Sequence, residues 1–429
     1  MVGKMTSCAD GVQPRDLAEQ VARRSYGKLV AFLAARTRDV TSAEDALSEA
    51  FAAALADWPR NGCPQNPEAW LMTVARRKFL DAARSTQRET ASDEIEETAF
   101  AITSDEDVVE IPDRRLGLMF ACAHPAIEAG VRAPLMLQAI LGLDAARIAS
   151  AFLVSPATMS QRLVRAKNKI RQAGIPLEIP ERSQLRARLD TVLDAVYAAF
   201  AEGWTDAAGT DVARRDLAEE AIYLGRIIVE LLPDEPESLG LLALMLHAEA
   251  RRPARRNADG DYVPLAQQDA SLWIAAMIAE AESLLHRASA MNIVGRYQVE
   301  AAIQSAHAVR ARTGQSDWAA IVQLYDALFA ISGSPVAAVN RALAVAELHG
   351  ADRALEDLDQ VASDPRLAEY QPYWAARAEL LARILERHEA RHAYSIAIGL
   401  ERDPSVRRFL EQRRSLIDDD LSTRVDVHR

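Results

Sequence analysis

The chain has 429 residues and a formal charge of -12, with few glycines, prolines and aromatic residues. That length excludes a single small domain and leaves room for two or three cores. Alanine, leucine, arginine and glutamate dominate, and no stretch alternates apolar with polar residues as a half-buried strand does. No segment approaches the roughly 18 uncharged residues of a membrane span, so composition predicts a soluble, all-α protein.

The opening MVGKMTSCADGVQPRD carries no apolar targeting run. Cys8, Cys63 and Cys122 are odd in number and far apart, which predicts unpaired thiols in a reducing, cytoplasmic compartment. From Ala43, AEDALSEAFAAALADWP predicts a helix with an apolar stripe of Ala46, Ala50, Phe51, Ala54, Leu55 and Trp58. Glu44, Asp45, Ser48 and Glu49 turn away from it and offer acid to a partner. Pro59 to Asn66 (PRNGCPQN) reads as an irregular loop. A second helix then starts at Pro67-Glu68 and buries Trp70, Leu71, Val74 and Ala75. It exposes Thr73, Arg76, Arg77, Lys78 and Arg84, a face that suits phosphate. Ser85 to Asp113 holds ten acids against Arg88 alone. A duplex would repel such a stretch, so it reads as a tether.

Asp144 to Phe152 (DAARIASAF) gives a short helix, and Leu153-Val154 leads into a second one capped by Ser155, with Pro156 at its first position. Met159, Leu163, Ala166 and Ile170 fall on one side, which predicts a buried seam. Thr158, Ser160, Gln161, Arg162, Arg165, Asn168 and Lys169 face outward, and Arg162 to Arg171 contains five cations and no acid. Two short helices joined by a tight turn, the second basic, predict a helix-turn-helix whose second helix enters a major groove. Leu153 occupies the turn position where glycine is common. Cys122 and His124 have no second pair at ligand spacing, so Cys122 reads as a small buried residue beside Phe120, and neither metal nor cofactor is expected.

After Gly174 to Pro180, helical segments follow one another, among them Trp318 to Ile331, Pro335 to Leu348, Ala351 to Val361, Tyr373 to Leu385 and Ala390 to Leu400. Ala342 and Ala378 hold comparable small positions, and Asp364-Pro365 recurs as Asp403-Pro404, which suggests degenerate tetratricopeptide-like hairpins. Residues 1–175 carry 22 basic and 22 acidic side chains, and the remainder 28 and 40, so the whole negative excess lies in this extension. Arg251-Arg252, Arg255-Arg256, Asp259, Asp261 and the scattered His247, His286, His307 and His349 have no triad or ligand spacing. They read as solvated or core-edge residues, and no catalytic site is expected. The long polar loop from Arg252 to Pro264 leaves room for a ligand or protein contact.

The elements ED-L-E-F---W (Glu44, Asp45, Leu47, Glu49, Phe51, Trp58), AWL--VAR---D--R (Ala69 to Arg84) and the helix-turn-helix occur in an order that resembles the extracytoplasmic-function sigma factors of the sigma-70 family. DRRLGLMFACAHPAI, AFLVSPATMSQRLVRAKNKIRQAGIP and DEPESLGLLALMLHAEAR resemble the subgroup with a C-terminal tetratricopeptide-like extension. The resemblance implies a region 2 helical bundle at 14–85, an acidic linker at 86–112, a region 4 helix-turn-helix at 113–175 and a helical-hairpin regulatory extension at 183–429. It implies that Asp45, Glu49 and Phe51 dock on core RNA polymerase. Thr73, Arg76, Arg77 and Arg84 would line the minus-10 promoter element, with Asn61, Gln65 and Asn66 beside an extruded base. Thr158, Ser160, Gln161, Arg162, Arg165 and Lys169 would read the minus-35 element. The protein would then be a non-catalytic promoter-specificity factor, its extension binding a regulatory protein or ligand and either masking the DNA faces or supporting docking. A one-component helix-turn-helix regulator and a tetratricopeptide scaffold are the alternatives.

Overall fold

The computed structural model describes residues 5–6, 13–37, 40–90, 111–173, 175, 178–204 and 212–425. The chain divides into two compact units, Met1–Ala199 and Phe200–Arg429. Among the described residues the structure is helical apart from one short ladder and an isolated bridge, and no helix is long and apolar enough to cross a membrane.

Unit 1 opens with β1 (Met5–Thr6), α1 (Pro14–Thr37), α2 (Val40–Asn61), β2 (Cys63–Pro64) and α3 (Pro67–Thr90). The three helices pack together around Val30, Leu33, Leu47, Ala54, Trp58, Leu71 and Ala75, all buried. Trp58 meets Trp70 edge to face, ring centroids 5.5 Å apart, a geometry that adds to area burial alone. The stripe on α2 differs from the expected one. Leu47 is fully buried, while Leu55 is 51% exposed. Steps of three and four from Ala43 run through Leu47, Ala50, Ala54 and Trp58, and Leu55 falls past the edge of that row.

Pro59 does not end α2. A proline here gives up its own N–H bond and crowds the carbonyl of residue 55, yet the helix runs on to Asn61 before Gly62, at φ +92°, turns the chain. The expected loop from Pro59 to Asn66 is therefore shorter. It also contains β2, which pairs antiparallel with β1, Met5 opposite Pro64 and Thr6 opposite Cys63. Cys63 is disulfide-bonded, with its partner outside the described residues. The expectation that all three thiols are unpaired is corrected by this bond.

The unit continues with α4 (Arg114–Cys122), α5 (Ala129–Ala139), α6 (Ala145–Ala151), α7 (Pro156–Ala173) and α8 (Arg182–Trp204). Leu116, Met119, Phe120, Leu135, Met136, Ile148, Met159 and Leu163 form their core. Arg188 of α8 donates to the Phe120 carbonyl at 3.0 Å, and the division between units falls inside α8, later than the boundary at residue 183 expected from the sequence. The two helical modules of unit 1 also touch. A Cβ on Gly27 of α1 would stand 1.8 Å from the Ile140 carbonyl oxygen, and the Arg114 guanidinium lies 4.8 Å from the Phe32 ring centre. The acidic stretch expected as a tether lies largely outside the described residues.

Unit 2 takes in the end of α8 and then α9 (Val212–Leu231), α10 (Pro236–Ala250), α11 (Ala275–Ser289), α12 (Arg296–Thr313), α13 (Trp318–Ser332), α14 (Pro335–His349), α15 (Ala351–Asp359), α16 (Gln371–Arg383), α17 (Arg387–Leu400) and α18 (Pro404–Val425). Neighbouring helices pack pairwise. Ala342 and Ala378 are fully buried in one core with Ile321, Val339, Leu358, Leu380 and Tyr394. The two Asp-Pro steps do the same work: Asp364 accepts from the Arg366 backbone at 2.9 Å and Asp403 from the Ser405 backbone at 2.8 Å. α10 is buried nearly throughout, and its Gly240 lets α12 approach. A Cβ there would lie 2.6 Å from the Gln298 backbone nitrogen. Gly240→Ala should destabilise unit 2 by about 1–3 kcal/mol, read as a lower denaturant midpoint at unchanged slope.

Candidate nucleic-acid interface

The geometry of α6 and α7 starts from their caps. The Asp144 carboxylate accepts from the backbone N–H of Ala146 and Arg147, both at 2.9 Å, satisfying two donors that a helix start leaves open. Leu153 then takes φ +52°, a left-handed conformation that costs a non-glycine residue on the order of 1–2 kcal/mol. The Ser155 hydroxyl accepts from Thr158 N at 3.2 Å and pairs with the Thr158 hydroxyl at 2.8 Å. α7 buries Met159, Leu163 and Ile170. Thr158, Ser160, Gln161, Arg162, Arg165, Asn168 and Lys169 all lie off that seam, and Gln161, Arg162, Arg165 and Lys169 are exposed. Arg165 reaches the Gln161 side chain at 3.5 Å, which aligns the two along one face.

Lys167 behaves differently from its neighbours. Four residues beyond Leu163 it borders the seam, and its ammonium donates to Glu44 of α2 at 2.6 Å. Glu44 is only 9% exposed, so it is not offered to a partner as expected from the sequence. The two side chains are largely shielded from water, 20% and 12% exposed. Burial, with a smaller push from Glu44, raises the Tyr26 hydroxyl to about 12. Burial likewise holds the Cys122 thiol up at about 12, Glu44 adding to the shift and Lys167 opposing it. Cys122 is thus the buried, inert residue expected beside Phe120.

On α2, Glu49 is exposed and forms an ion pair with Lys78 of α3 at 3.1 Å. Asp45 is exposed beside it. Phe51 is half-buried, stacked against Tyr26 with ring centroids 6.3 Å apart. Thr73, Arg76 and Arg77 lie on the outer side of α3, the Thr73 hydroxyl donating back to the Ala69 carbonyl at 2.8 Å. Arg84 lies on α3 with its side chain outside the described residues. The three residues placed beside an extruded base are not equivalent. Asn61 ends α2 and donates to Asp57 at 2.6 Å, and Asn66 caps α3 by accepting from Ala69 N at 3.0 Å. Gln65 is exposed between them.

In unit 2 the residues expected to be solvated or at the core edge fall into two groups. His286 and His349 are at the surface, but His247 is 2% and Arg251 8% exposed. Periodicity did not mark Arg251 as buried, because the residue follows an almost wholly apolar helix that has no outward face to contrast with.

Residues 21–89, which contain most of the α1–α3 bundle, match the family Sigma-70 region 2. Residues 188–289 match a family of unknown function, DUF6596. The chain is 37% identical over 405 residues to Uncharacterized protein R00370 of Rhizobium meliloti, covering 93% of this chain and 94% of that protein. It is 28% identical over 222 residues to Probable RNA polymerase sigma factor RfaY of Xanthomonas campestris pv. campestris, covering 48% of this chain and 51% of that protein. No solved structure matches the chain. The protein belongs to one family with the Rhizobium meliloti relative, and it contains a Sigma-70 region 2 domain.

The Glu44 to Lys167 pair is accessible to a double-mutant cycle. Glu44→Gln and Lys167→Met should each destabilise unit 1, and the double variant should recover a coupling energy of about 2 kcal/mol. Chemical denaturation of the four proteins measures it, and additivity within about 0.5 kcal/mol would mean the pair is solvated.

Proposed function

We propose that the protein is an extracytoplasmic-function sigma factor that binds core RNA polymerase and directs it to promoters, working in the cytoplasm and leaving catalysis to the polymerase. The observation that carries this reading is the Sigma-70 region 2 match over residues 21–89, joined in one unit to α7, whose exposed face presents Gln161, Arg162, Arg165 and Lys169 without an acid. Arg165 and Gln161 project together, as a pair that reads base edges in a major groove must. α6, the turn at Leu153 and α7 then act as a region 4 helix-turn-helix on the minus-35 element. α3 contributes Thr73, Arg76, Arg77 and Arg84 to the minus-10 element, with Gln65 the best placed of the loop residues to meet an extruded base. Asp45, Glu49 and Phe51 form the polymerase-docking face, and unit 2 is a tetratricopeptide-like regulatory extension.

Transcription from a matched promoter, reconstituted with purified core polymerase, tests the reading directly, since neither a one-component regulator nor a scaffold would make core polymerase promoter-specific. Asp45→Arg combined with Glu49→Arg should abolish capture of core polymerase while leaving helical circular dichroism intact. The ion pair lost with Glu49 is exposed and worth at most about 1 kcal/mol. Unchanged capture would remove the docking face.

On DNA the substitutions should differ in kind. Arg165→Ala should cost about 1–3 kcal/mol and relax preference at one base pair, whereas Lys169→Ala should weaken all sequences alike and lower the salt slope by about 1. Binding to matched and scrambled promoters across a salt series distinguishes them. Equal losses on both DNAs for every variant would leave α7 without a reading role.

A further inference from the structure

We propose that the loop joining α10 to α11, with the facing side of α12, forms a site in unit 2 for a small oxyanion, a carboxylate or phosphate group, gripped by Arg251 and Trp273 and backed by Arg310. The inference is independent of the promoter reading, because every residue in it lies in unit 2.

Arg251 follows the last turn of α10 and is 8% exposed. Its Nη2 donates to the Gln304 side chain of α12 at 2.5 Å, but its Nη1 has no hydrogen-bond partner among the described residues. The backbone of Ile274 donates to the Ala250 carbonyl at 2.9 Å, which brings the Trp273 segment against this turn. Trp273 is 6% exposed, and its indole Nε1 also has no partner among the described residues. Leaving a buried donor unmet costs on the order of 1–3 kcal/mol, and more for a charged one. The two unmet donors lie on chain segments that this backbone bond joins, one residue from each end of it.

The charge balance identifies what they await. Arg310 of α12 stands 5.7 Å from the Trp273 ring centre, held by the carbonyls of Leu265 at 2.8 Å and Ala266 at 2.7 Å. Arg255 adds a third guanidinium, stacked 3.7 Å over Trp204. Of the nearby carboxylates, Asp403 pairs with Arg256 at 2.8 Å and Glu249 gives one oxygen to Arg252 at 2.6 Å, its other oxygen having no hydrogen-bond partner among the described residues. Burial, and then the charges of Arg255 and Arg310, bring Arg251 down to about 10, opposed only by the hydroxyls of Tyr325 and Tyr262. His307 is pushed to about 4 by burial and by Arg251 and Arg310, so it is neutral and adds no repulsion. A buried guanidinium with two half-buried ones beside it is stabilised by a bound anion, and Arg is suited to carboxylate and phosphate geometry.

The loop is also built to stay in place. Its turn is self-contained at Asn257, whose side chain accepts from the backbone of Asp259 at 3.0 Å and Asp261 at 2.8 Å. Asp261 pairs with Arg408 at 2.8 Å, and Tyr262 packs edge to face on Phe409 at 5.6 Å. A site fixed before its ligand arrives loses little entropy on binding.

The test uses the full-length protein with sodium succinate and inorganic phosphate as probes, each against sodium chloride at equal ionic strength. One of the two should raise Tm saturably and give a measurable Kd by calorimetry, and which one does so tells a carboxylate source from a phosphate source. Arg251→Gln should weaken that binding by about tenfold or more, the equivalent of one lost charged contact of about 1.4 kcal/mol. Trp273→Phe keeps the ring and removes only the donor, so it should weaken binding and remove the ligand-induced change in tryptophan emission even if Arg251→Gln does not fold. The proposal is overturned if neither probe exceeds the chloride control, or if Trp273→Phe binds like the unaltered protein.

Discussion

The ion pair between Lys167 and Glu44 is the contact on which the arrangement of unit 1 turns, because it ties α7 to α2 across two helical modules that the sequence joins through an acidic stretch. Its 2.6 Å separation and low exposure place it where Coulomb attraction is much stronger than in water. Gly27 makes the approach possible by presenting bare backbone to the Ile140 carbonyl. The consequence for α7 is selective. Lys167 is engaged inside the protein, while Gln161, Arg162, Arg165 and Lys169 remain on the open side.

The same use of small residues organises unit 2. Ala342 and Ala378 sit at zero exposure where helices meet, and Gly240 lets α12 come close to α10. Close backbone approach leaves little room for long apolar side chains, and polar groups at the margin of such a helix become buried whether or not a partner is supplied. Arg251 is in that position. It ends a helix that is buried on nearly every side, so the chain cannot leave α10 without carrying a charge into the interior.

Much of the candidate interface was legible because it depends on local rules. The seam of Met159, Leu163 and Ile170, the cap at Ser155, and the outward set from Thr158 to Lys169 follow from helical periodicity and from the donors that a helix start leaves open. Leu153 was recognisable as standing where glycine is common, and its φ of +52° is the backbone expression of that observation. Other readings failed where a neighbour distant in sequence intervened. Glu44 was drawn to Lys167, and Cys63 entered a disulfide beside a strand pair that no periodicity announces.

The sequence by itself determined the helices, their caps, the basic outward face of α7 and the all-α class, since each is fixed by residues within one or two turns of one another. Tertiary structure decided which charges remain available. Glu44, Lys167 and Arg251 are written in the chain with the same letters as their solvated neighbours, and only the helices packed against them take them out of water. Burial is set by partners tens of residues away, and it multiplies the strength of a charge interaction several-fold. For that reason the faces of this protein could be drawn from its sequence, while the ion pair inside unit 1 and the guanidinium cluster inside unit 2 could not.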